Sequence, residues 1–459
     1  MKALGYDISK INKDDLLFSN RALWKLIIPV MAEQLLNSFM GMIDTMMVSN
    51  VSPEAMAAVS LSDSINMLIL QMFAALSTGG TIVCSHYIGQ DDEKGANKAA
   101  RQVFLMVLVS SLFLTLFGLI FRVPLLSIIF GQIEPEVMEA SLIYFTITVL
   151  SYPFIALFSS GCAFFRASNN TKFPMRVSIE SNIINVVLNA VFIFGLNWGV
   201  AGAALATLIS RVYGMAVIHI ALAKPKQVIV LNDYLKIRPD KKLLLRIISI
   251  GLPAGVENSM FQFGKLVIQS SVSTLGTVAI AAQSMTNIFE TVNGMLPQGV
   301  GIALLTVAGQ TIGSGRKEET KYYIAKMVGY AEIVIIISCI AVYFMANPVM
   351  ALANMTEESK ALAMEMLFWI TIFKPLFWNL SFTLPNGMRA CGDVRFPMTV
   401  SVCTMWGCRV LIAVLLIRVF GFGPMGVWIG MFCDWAIRAF IFSSRFLSGK
   451  FTEHFGKVL

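Results

Sequence analysis

Twelve long apolar segments constrain this chain most, because each is long enough for a helix to cross a lipid bilayer. A helix rises about 1.5 Å per residue, so roughly 20 mainly apolar residues cross the hydrocarbon core. Of the 459 residues, 56% are hydrophobic and only 14% are charged, a balance typical of membrane proteins. We therefore predict an all-α integral membrane protein. Its transmembrane helices are predicted at 22–48, 56–88, 99–121, 136–162, 173–195, 200–222, 243–272, 278–306, 322–346, 359–387, 397–419 and 425–446.

The basic residues indicate how the chain is oriented. Most of the 35 Lys and Arg residues precede the first span, follow the last span or lie in every second loop. The loops on the opposite side contain only Arg122, Lys360 and Arg418. Because basic residues remain on the cytoplasmic side, we expect a plasma (inner) membrane protein with both termini in the cytoplasm. The net charge of +8 then reflects membrane orientation and does not predict a nucleic-acid partner.

A polar loop occurs twice in the sequence. Residues 166–178 read RASNNTKFPMRVS, and residues 389–401, 223 positions later, read RACGDVRFPMTVS. Glu33 in the segment PVMAEQ recurs as Glu257 in PAGVEN, at an offset of 224. Agreement at several places along 200 residues predicts an internal duplication.

The duplication predicts two six-helix lobes of the same design. The N-terminal lobe is 1–222, the C-terminal lobe is 243–459, and the polar segment 223–242 joins them as a cytoplasmic linker. Because six is an even number, both copies enter the membrane from the same side. The bundles are then related by a pseudo-two-fold axis along the membrane normal, an arrangement that suits a transporter with a central cavity.

Span 1 carries three polar residues on one helical face. Glu33, Asn37 and Asp44 lie within about 40° of one another around the helix. Ionisable groups inside a bilayer are costly, so both acids are candidate functional residues. Glu257 repeats Glu33 in span 7, whereas the counterpart of Asp44 is Ile268. The outer acid is therefore predicted to occur in the N-terminal lobe alone.

Two other spans carry polar stripes at helical spacing. Each stripe could line a cavity, or it could hydrogen-bond neighbouring helices as polar side chains often do in membranes. We keep both interpretations open. The stripes are Asn182, Asn185 and Asn189 in span 5, and Gln283, Asn287 and Glu290 in span 8.

Basic residues also occur inside the spans. Glu290 either pairs with Lys265 or lines a cavity, and the sequence does not decide between these interpretations. Asp434 and Arg438 are four residues apart in span 12, a spacing that predicts an ion pair. The lone basic residues, whose roles stay open between structural and functional, are Lys265, Lys374 and Arg409.

No catalytic or cofactor motif is visible, so we do not expect an enzyme. The segment GQTIGSGRKEE (309–319) lacks the GxxxxGK[ST] arrangement of a phosphate-binding loop. The seven cysteines form no CxxC pairs, and no firm metal site is predicted. We expect no cofactor, and transport energy would come from an ion gradient.

Several segments resemble the multidrug and toxin extrusion (MATE) family. They are IDTMMVS at the end of span 1, NVVLNAVFIFG in span 5, GVAGAALAT in span 6, GLPAGVEN in span 7 and LPNGMRACGDVRFPM after span 10. The resemblance covers the whole chain, and the order and spacing of the segments carry it. It implies a V-shaped pair of lobes around a cavity that faces alternately in and out.

The resemblance also implies an activity and a set of residues. Family members typically export amphipathic organic cations in exchange for inward H⁺ or Na⁺, and we expect a monomer in the bilayer. Asn189 stands where many members have Asp, which leaves the coupling ion open. The expected ion-coupling residues, which could also hold Na⁺, are Asp44, Asn185, Asn189 and Thr207. The expected substrate-cavity residues are Glu33, Asn37, Glu257, Glu290, Asn287 and Gln283.

Other functions fit the architecture less well. A flippase or exporter of a lipid-linked or other amphipathic metabolite shares the duplicated design, and a cavity lined by basic residues would favour it. A membrane enzyme would need a catalytic constellation of His, Ser or metal ligands. A channel rarely needs two matching lobes with central acids. The acids within the spans favour cation export.

Overall fold

The computed structural model describes residues 15–131, 134–232, 234, 237–353 and 355–454. These residues form helices and connecting turns and contain no β-strand. The helices are α1 (Asn20–Ser49), α2 (Pro53–Gly89), α3 (Glu93–Ile120), α4 (Arg122–Phe130), α5 (Pro135–Leu150), α6 (Tyr152–Ala167), α7 (Lys172–Asn189), α8 (Gly199–Leu222), α9 (Lys241–Val272), α10 (Thr277–Gly313), α11 (Lys317–Leu352), α12 (Glu357–Phe382), α13 (Leu384–Ala390), α14 (Arg395–Thr404), α15 (Leu411–Arg418) and α16 (Met425–Leu447). One-turn π-helices follow α7 and α14, at Ala190–Gly195 and Met405–Val410.

The predicted all-α membrane fold is confirmed. Within the described residues, 10 helical segments are long and apolar enough to cross a membrane. The pair α5 and α6, bent by 43°, supplies an eleventh, where a single straight span was predicted. Pro153 lies in the first turn of α6 and has no N–H to continue the helix. The one remaining predicted span, span 7 at 243–272, corresponds to the 32-residue helix α9, which is not among the segments that pass on length and composition.

The chain divides into two compact units. We call Leu36–Gly255 the N unit, and Met1–Leu35 together with Val256–Leu459 the C unit. The first part of α1 therefore packs with the C unit, and the first part of α9 packs with the N unit. These limits differ from the predicted lobes 1–222 and 243–459, which stay a prediction.

The duplication is visible in the backbone. Asn169 (φ 61°) and Gly392 (φ 91°) are left-handed at matching places in the repeated loop. The next residue donates its N–H five residues back in both copies, from Asn170 to Phe165 O at 2.9 Å and from Asp393 to Met388 O at 3.1 Å. Three more left-handed pairs lie 224 positions apart: Asp91 and Gly315, Asn197 and Gly421, and Gly199 and Gly423.

The predicted linker lies along the start of α3. Lys98 Nζ donates to Asp240 Oδ2 at 2.6 Å, and Gln102 Nε2 donates to Arg238 O at 2.8 Å. The hydrogen bond from Lys98 lowers the pKa of Asp240 below its usual value. Polar contacts of this kind fix the segment between the two predicted lobes to the N unit.

Candidate functional site

The N unit brings the predicted ion-coupling residues together between α1 and α7. Asn189 Nδ2 donates to Asp44 Oδ1 at 2.7 Å, and Asn182 Nδ2 donates to Asn37 Oδ1 at 3.1 Å. The contacts lie seven residues apart on each helix, so α1 and α7 run parallel in register. Two helical turns of matched spacing place the half-buried carboxylate of Asp44 against the polar stripe of α7.

The amide of Asn185 lies between Asp44 and Thr207. In one orientation its Nδ2 donates to Thr207 Oγ1 at 3.4 Å. With the amide turned, Nδ2 lies 2.7 Å from Asp44 Oδ1 and 3.2 Å from Oδ2, as a donor to the carboxylate. The amide can therefore serve either an ionised or a protonated Asp44, because its oxygen accepts where its nitrogen donates.

The side-chain oxygen of Asn189 accepts no hydrogen bond from the described residues. Its side chain is 1% exposed, and no hydrogen-bond donor among the described residues reaches its Oδ1. Together with Asp44 and Thr207 it offers the oxygen ligands that hard cations prefer. The π-helix Ala190–Gly195 begins directly after Asn189, and such turns often occur at functional sites.

A second polar group lies beside this cluster and was not part of the predicted site. Tyr144 OH donates to Asp63 Oδ1 at 3.3 Å, and Asn66 Nδ2 donates to the same oxygen at 3.1 Å. Arg211 interacts electrostatically with both Asp63 and Asp44. The signal in the sequence was a charged residue inside span 2 and another inside span 6, without any spacing that relates them to Asp44.

The predicted acidic face of span 1 divides between the units. Glu33 is 4% exposed and lies in the C unit, whereas Asn37 and Asp44 lie in the N unit. Glu257, an expected substrate-cavity residue, forms an ion pair with Arg389 Nη2 at 2.6 Å. Arg389 is the first residue of the repeated loop and lies on α13, so the ion pair connects α9 with α13.

The polar stripe of α10 contacts α12 and α16. Lys374 Nζ, 0% exposed, lies 2.8 Å from Glu290 Oε1. The ion pair of Glu290 is therefore with Lys374, and Lys265 attracts the same carboxylate from beyond ion-pair distance. Gln283 Nε2 donates to Asn287 Oδ1 at 3.2 Å, and Gln283 Oε1 accepts from the indole N–H of a tryptophan on α16 at 3.0 Å.

The predicted ion pair of span 12 is confirmed and is larger than expected. Arg438 Nε lies 2.7 Å from Asp434 Oδ1, and Arg409 Nη2 lies 2.8 Å from Asp434 Oδ2. Glu332 on α11, which no sequence pattern indicated, accepts from Asn379 Nδ2 at 3.0 Å. Among the described residues, no group of three or more His, Cys, Asp or Glu side chains could hold a metal ion.

Comparisons with known proteins agree with the repeat. The sequence model of the MatE family matches residues 29–191 and again residues 253–415, so the second match begins 224 positions after the first. The chain is 25% identical over 441 residues to a probable multidrug resistance protein NorM of Thermotoga maritima, covering 94% of this chain and 93% of the relative. It is 27% identical over 437 residues to the uncharacterized transporter YisQ of Bacillus subtilis, covering 93% and 94%.

Solved structures show the same fold. One is described as the outward-facing conformation of a multidrug resistance MATE family transporter, with a TM-score of 0.86 and 21% identity. The match covers 95% of this chain and 96% of that chain. The two matches of the family model span well over half of the sequence. This multi-pass membrane protein therefore belongs to the MatE family, the MATE family of multidrug efflux transporters.

Proposed function

We propose that the chain is a secondary active antiporter that exports amphipathic organic cations in exchange for inward H⁺ or Na⁺. It acts by alternating access, as a monomer in the plasma membrane with both termini in the cytoplasm. The family of transporters to which it belongs and the distribution of its basic residues support this proposal. The observation that carries it is the contact of Asp44 with Asn189 and Asn185.

Asp44 is the proposed coupling carboxylate. When ionised, it accepts from Asn189 Nδ2 and from Asn185 Nδ2 in the turned orientation. When protonated, its hydroxyl donates, and the Asn185 amide turns its oxygen toward Asp44 and its nitrogen toward Thr207. Sodium would instead be held by the oxygens of Asp44, Asn189 and Thr207. In both cases binding of the ion changes the hydrogen bonds between α1, α7 and α8.

Substrate binding is proposed for the polar residues of the predicted cavity. Two of the carboxylates are paired, Glu290 with Lys374 and Glu257 with Arg389. A paired carboxylate attracts a cation only if its basic partner gives way. The full set is Glu33, Asn37, Glu257, Gln283, Asn287 and Glu290.

The energetics of the exchange need no nucleotide. Exporting one monovalent cation against 100 mV costs about 2.3 kcal/mol, and importing one H⁺ or Na⁺ returns about the same amount. A one-for-one exchange is then driven by the concentration gradient of the ion, which supplies about 1.4 kcal/mol per tenfold difference. Gradients of one to two orders of magnitude therefore support useful export.

Uptake of ethidium into inverted membrane vesicles tests the proposal when the Na⁺ and H⁺ gradients are imposed separately. One gradient should drive uptake by the wild type, and Asp44→Asn should abolish that uptake at an unchanged protein level. Asn182→Ala is the matched control, because it removes an exposed α1–α7 contact that lies away from the cluster. Gradient-driven uptake that survives in Asp44→Asn would refute the coupling role of this carboxylate.

A further inference from the structure

The C unit contains a groove that is lined by residues of α12 and α16. Its volume is about 690 Å³, within the range of sites for small molecules. Phe422 and Pro424, which precede α16, line it together with Met425 at the start of that helix. The residues that line it belong neither to the predicted substrate cavity nor to the cluster at Asp44. The groove is therefore separate from both proposed sites.

Aromatic rings form much of the groove. Phe373 of α12 stacks on Phe432 of α16, with the ring centres 4.7 Å apart. Trp369 lies one turn before Phe373, with the ring centres 6.0 Å apart. The faces of aromatic rings attract cations and also pack against apolar groups. Such walls suit a ligand that is partly cationic and partly hydrocarbon.

One carboxylate lies beside these rings. Glu365 is exposed, lies one turn before Trp369 on α12 and lines the groove. It is the one charged residue of the lining, and among the described residues no hydrogen bond or ion pair engages it. Lys360, five residues earlier, already pairs with Glu357 at 2.7 Å. Because an unpaired carboxylate within a membrane span is unfavourable, a ligand with one positive charge would stabilise it.

The groove opens at the surface of the C unit. Beyond Trp369 on α12 and beyond Ala436 on α16, the residues one turn further on are Ile372 and Phe440, both exposed. Large apolar side chains exposed on membrane helices face lipid, so a ligand can reach the groove from the bilayer. The expected orientation places the start of α12 outside. Glu365, in the third turn of α12, then lies toward the outer headgroups.

We propose that this groove binds an amphipathic monovalent cation from the outer leaflet. The ammonium group of the ligand lies at Glu365, and its apolar body packs against Trp369 and Phe373. A zwitterionic phospholipid fits less well, because its phosphate would have no basic partner in the lining. The site lies outside the substrate cavity, so it binds a cation that is not in transit. Only the choice of leaflet rests on the expected orientation.

Photo-crosslinking of the full-length protein in phosphatidylcholine nanodiscs tests the site. The probes are a benzylammonium that carries a trifluoromethyl diazirine, and the benzyl alcohol that carries the same diazirine without the charge. Mass spectrometry should locate saturable cross-links of the ammonium probe in 362–377 and 422–436. The alcohol should need a roughly tenfold higher concentration for half-maximal cross-linking, the effect of losing one charge-assisted contact.

Glu365→Gln should raise the half-maximal concentration of the ammonium probe roughly tenfold. Because Glu365 is exposed and lacks an ion pair among the described residues, the variant should fold normally. Glu358→Gln is the matched control, because it neutralises an exposed carboxylate in the first turn of α12 that does not line the groove. It should leave the half-maximal concentration unchanged.

Three results would overturn the assignment. The first is equal half-maximal concentrations of the two probes in the wild type, and the second is an unchanged value for the ammonium probe in Glu365→Gln. The third is loss of the ammonium cross-links when phosphatidylethanolamine replaces phosphatidylcholine, because the occupant would then be a lipid headgroup. The proposal expects the same cross-links in both lipids.

This measurement is independent of the proposed antiport, because it needs no ion gradient. Vesicles without gradient-driven uptake of ethidium would refute the antiport and leave the cross-linking of the groove unchanged. Equal cross-linking by the two probes would refute the groove and leave the uptake unchanged. The two failures are therefore distinguishable.

Discussion

The N unit and the C unit contain the two copies of the repeat, and the copies differ most in the buried side chains at the positions equivalent to the Asp44 cluster. Four left-handed loop residues of the N unit recur at the same places in the C unit, so the backbone turns of these loops are shared. At the counterpart of Asp44, however, the C unit has Ile268, which packs in an apolar cluster instead of accepting hydrogen bonds. A duplicated fold therefore constrains its turns more strongly than its buried polar groups.

The closeness of the helices explains part of this difference. A Cβ on Gly430 of α16 would lie 2.8 Å from Arg409 O, closer than real Cβ atoms approach a carbonyl oxygen. The counterpart of Gly430 in the N unit is Ala206, which is fully buried and already carries a Cβ. Helix α16 thus approaches the backbone at Arg409 more closely than α8 approaches the equivalent backbone in the N unit. The wider spacing in the N unit leaves room for polar side chains.

Among the changes that compare the two units, loss of the buried carboxylate of Asp434 should have the largest effect on stability. Asp434 is 0% exposed and balances both Arg409 and Arg438. Because Asp434→Asn leaves two buried guanidinium groups without a negative charge, we expect the free energy of unfolding to fall by about 3–5 kcal/mol. Thermal unfolding of the purified protein measures this loss.

The equivalent change in the N unit is Ser210→Ala, 224 positions earlier, where one hydroxyl donates to Thr207 O at 2.9 Å. Its expected cost is about 1 kcal/mol. If Asp434→Asn yields no folded protein, adding Arg409→Met should recover part of the yield. Equal losses in the two units would contradict the view that the ion pairs of Asp434 stabilise the C unit more than the hydroxyl of Ser210 stabilises the N unit.

Gly430→Ala tests the difference in helix spacing. The added methyl group would meet the backbone of α15 and of the π-helix before it, which cannot move aside as a flexible side chain can. We expect a destabilisation of about 1–3 kcal/mol, the usual range for overpacking. Thermal unfolding again measures it. A neutral Gly430→Ala would show that the C-unit helices can separate to the spacing of the N unit.

The sequence predicted the parts of this architecture that depend on periodicity. Apolar length placed the spans, and the repeated loop fixed the offset that the left-handed residues share. The Asp434–Arg438 pair was predictable because its members are four apart on one helix. The bend between α5 and α6 was missed because a proline near a helix start is compatible with either a continuous or a broken span.

The longer-range ion pairs could not be predicted in the same way. Glu257 pairs with Arg389 and Glu290 with Lys374 across different helices, and separations of 132 and 84 residues leave no pattern in one sequence. The polar cluster at Asp44 was reached through the family resemblance. Its geometry, including the unpartnered Asn189 oxygen, depends on the parallel register of α1 and α7, which hydropathy does not contain.

Asn189→Ala tests whether the N-unit cluster binds an ion. The change removes the donor to Asp44 Oδ1 and the buried oxygen without a donor. We expect the ion concentration at half-maximal transport to change roughly tenfold, the effect of about 1.4 kcal/mol. The measurement is the ion dependence of dye uptake in vesicles. Asn182→Ala should leave this ion concentration unchanged. If both variants changed it equally, the asparagines would only hold the helices together and would not bind the ion.

The smallest expected effect concerns Gly41, which lies one turn before Asp44 at the counterpart of Lys265. A Cβ on Gly41 would meet no atom within 4 Å, whereas one on Gly264 would lie 3.2 Å from Val410 Cγ2. Gly41→Ala should therefore raise the free energy of unfolding by about 0.5–1 kcal/mol, because alanine favours helix. Gly264→Ala should lower it, and thermal unfolding compares the two.

Gly41→Ala should also leave ion-driven uptake unchanged, since it removes no ligand of the cluster. A stabilised variant without uptake would show that α1 must flex beside Asp44, a requirement that the apolar C-unit counterpart does not share.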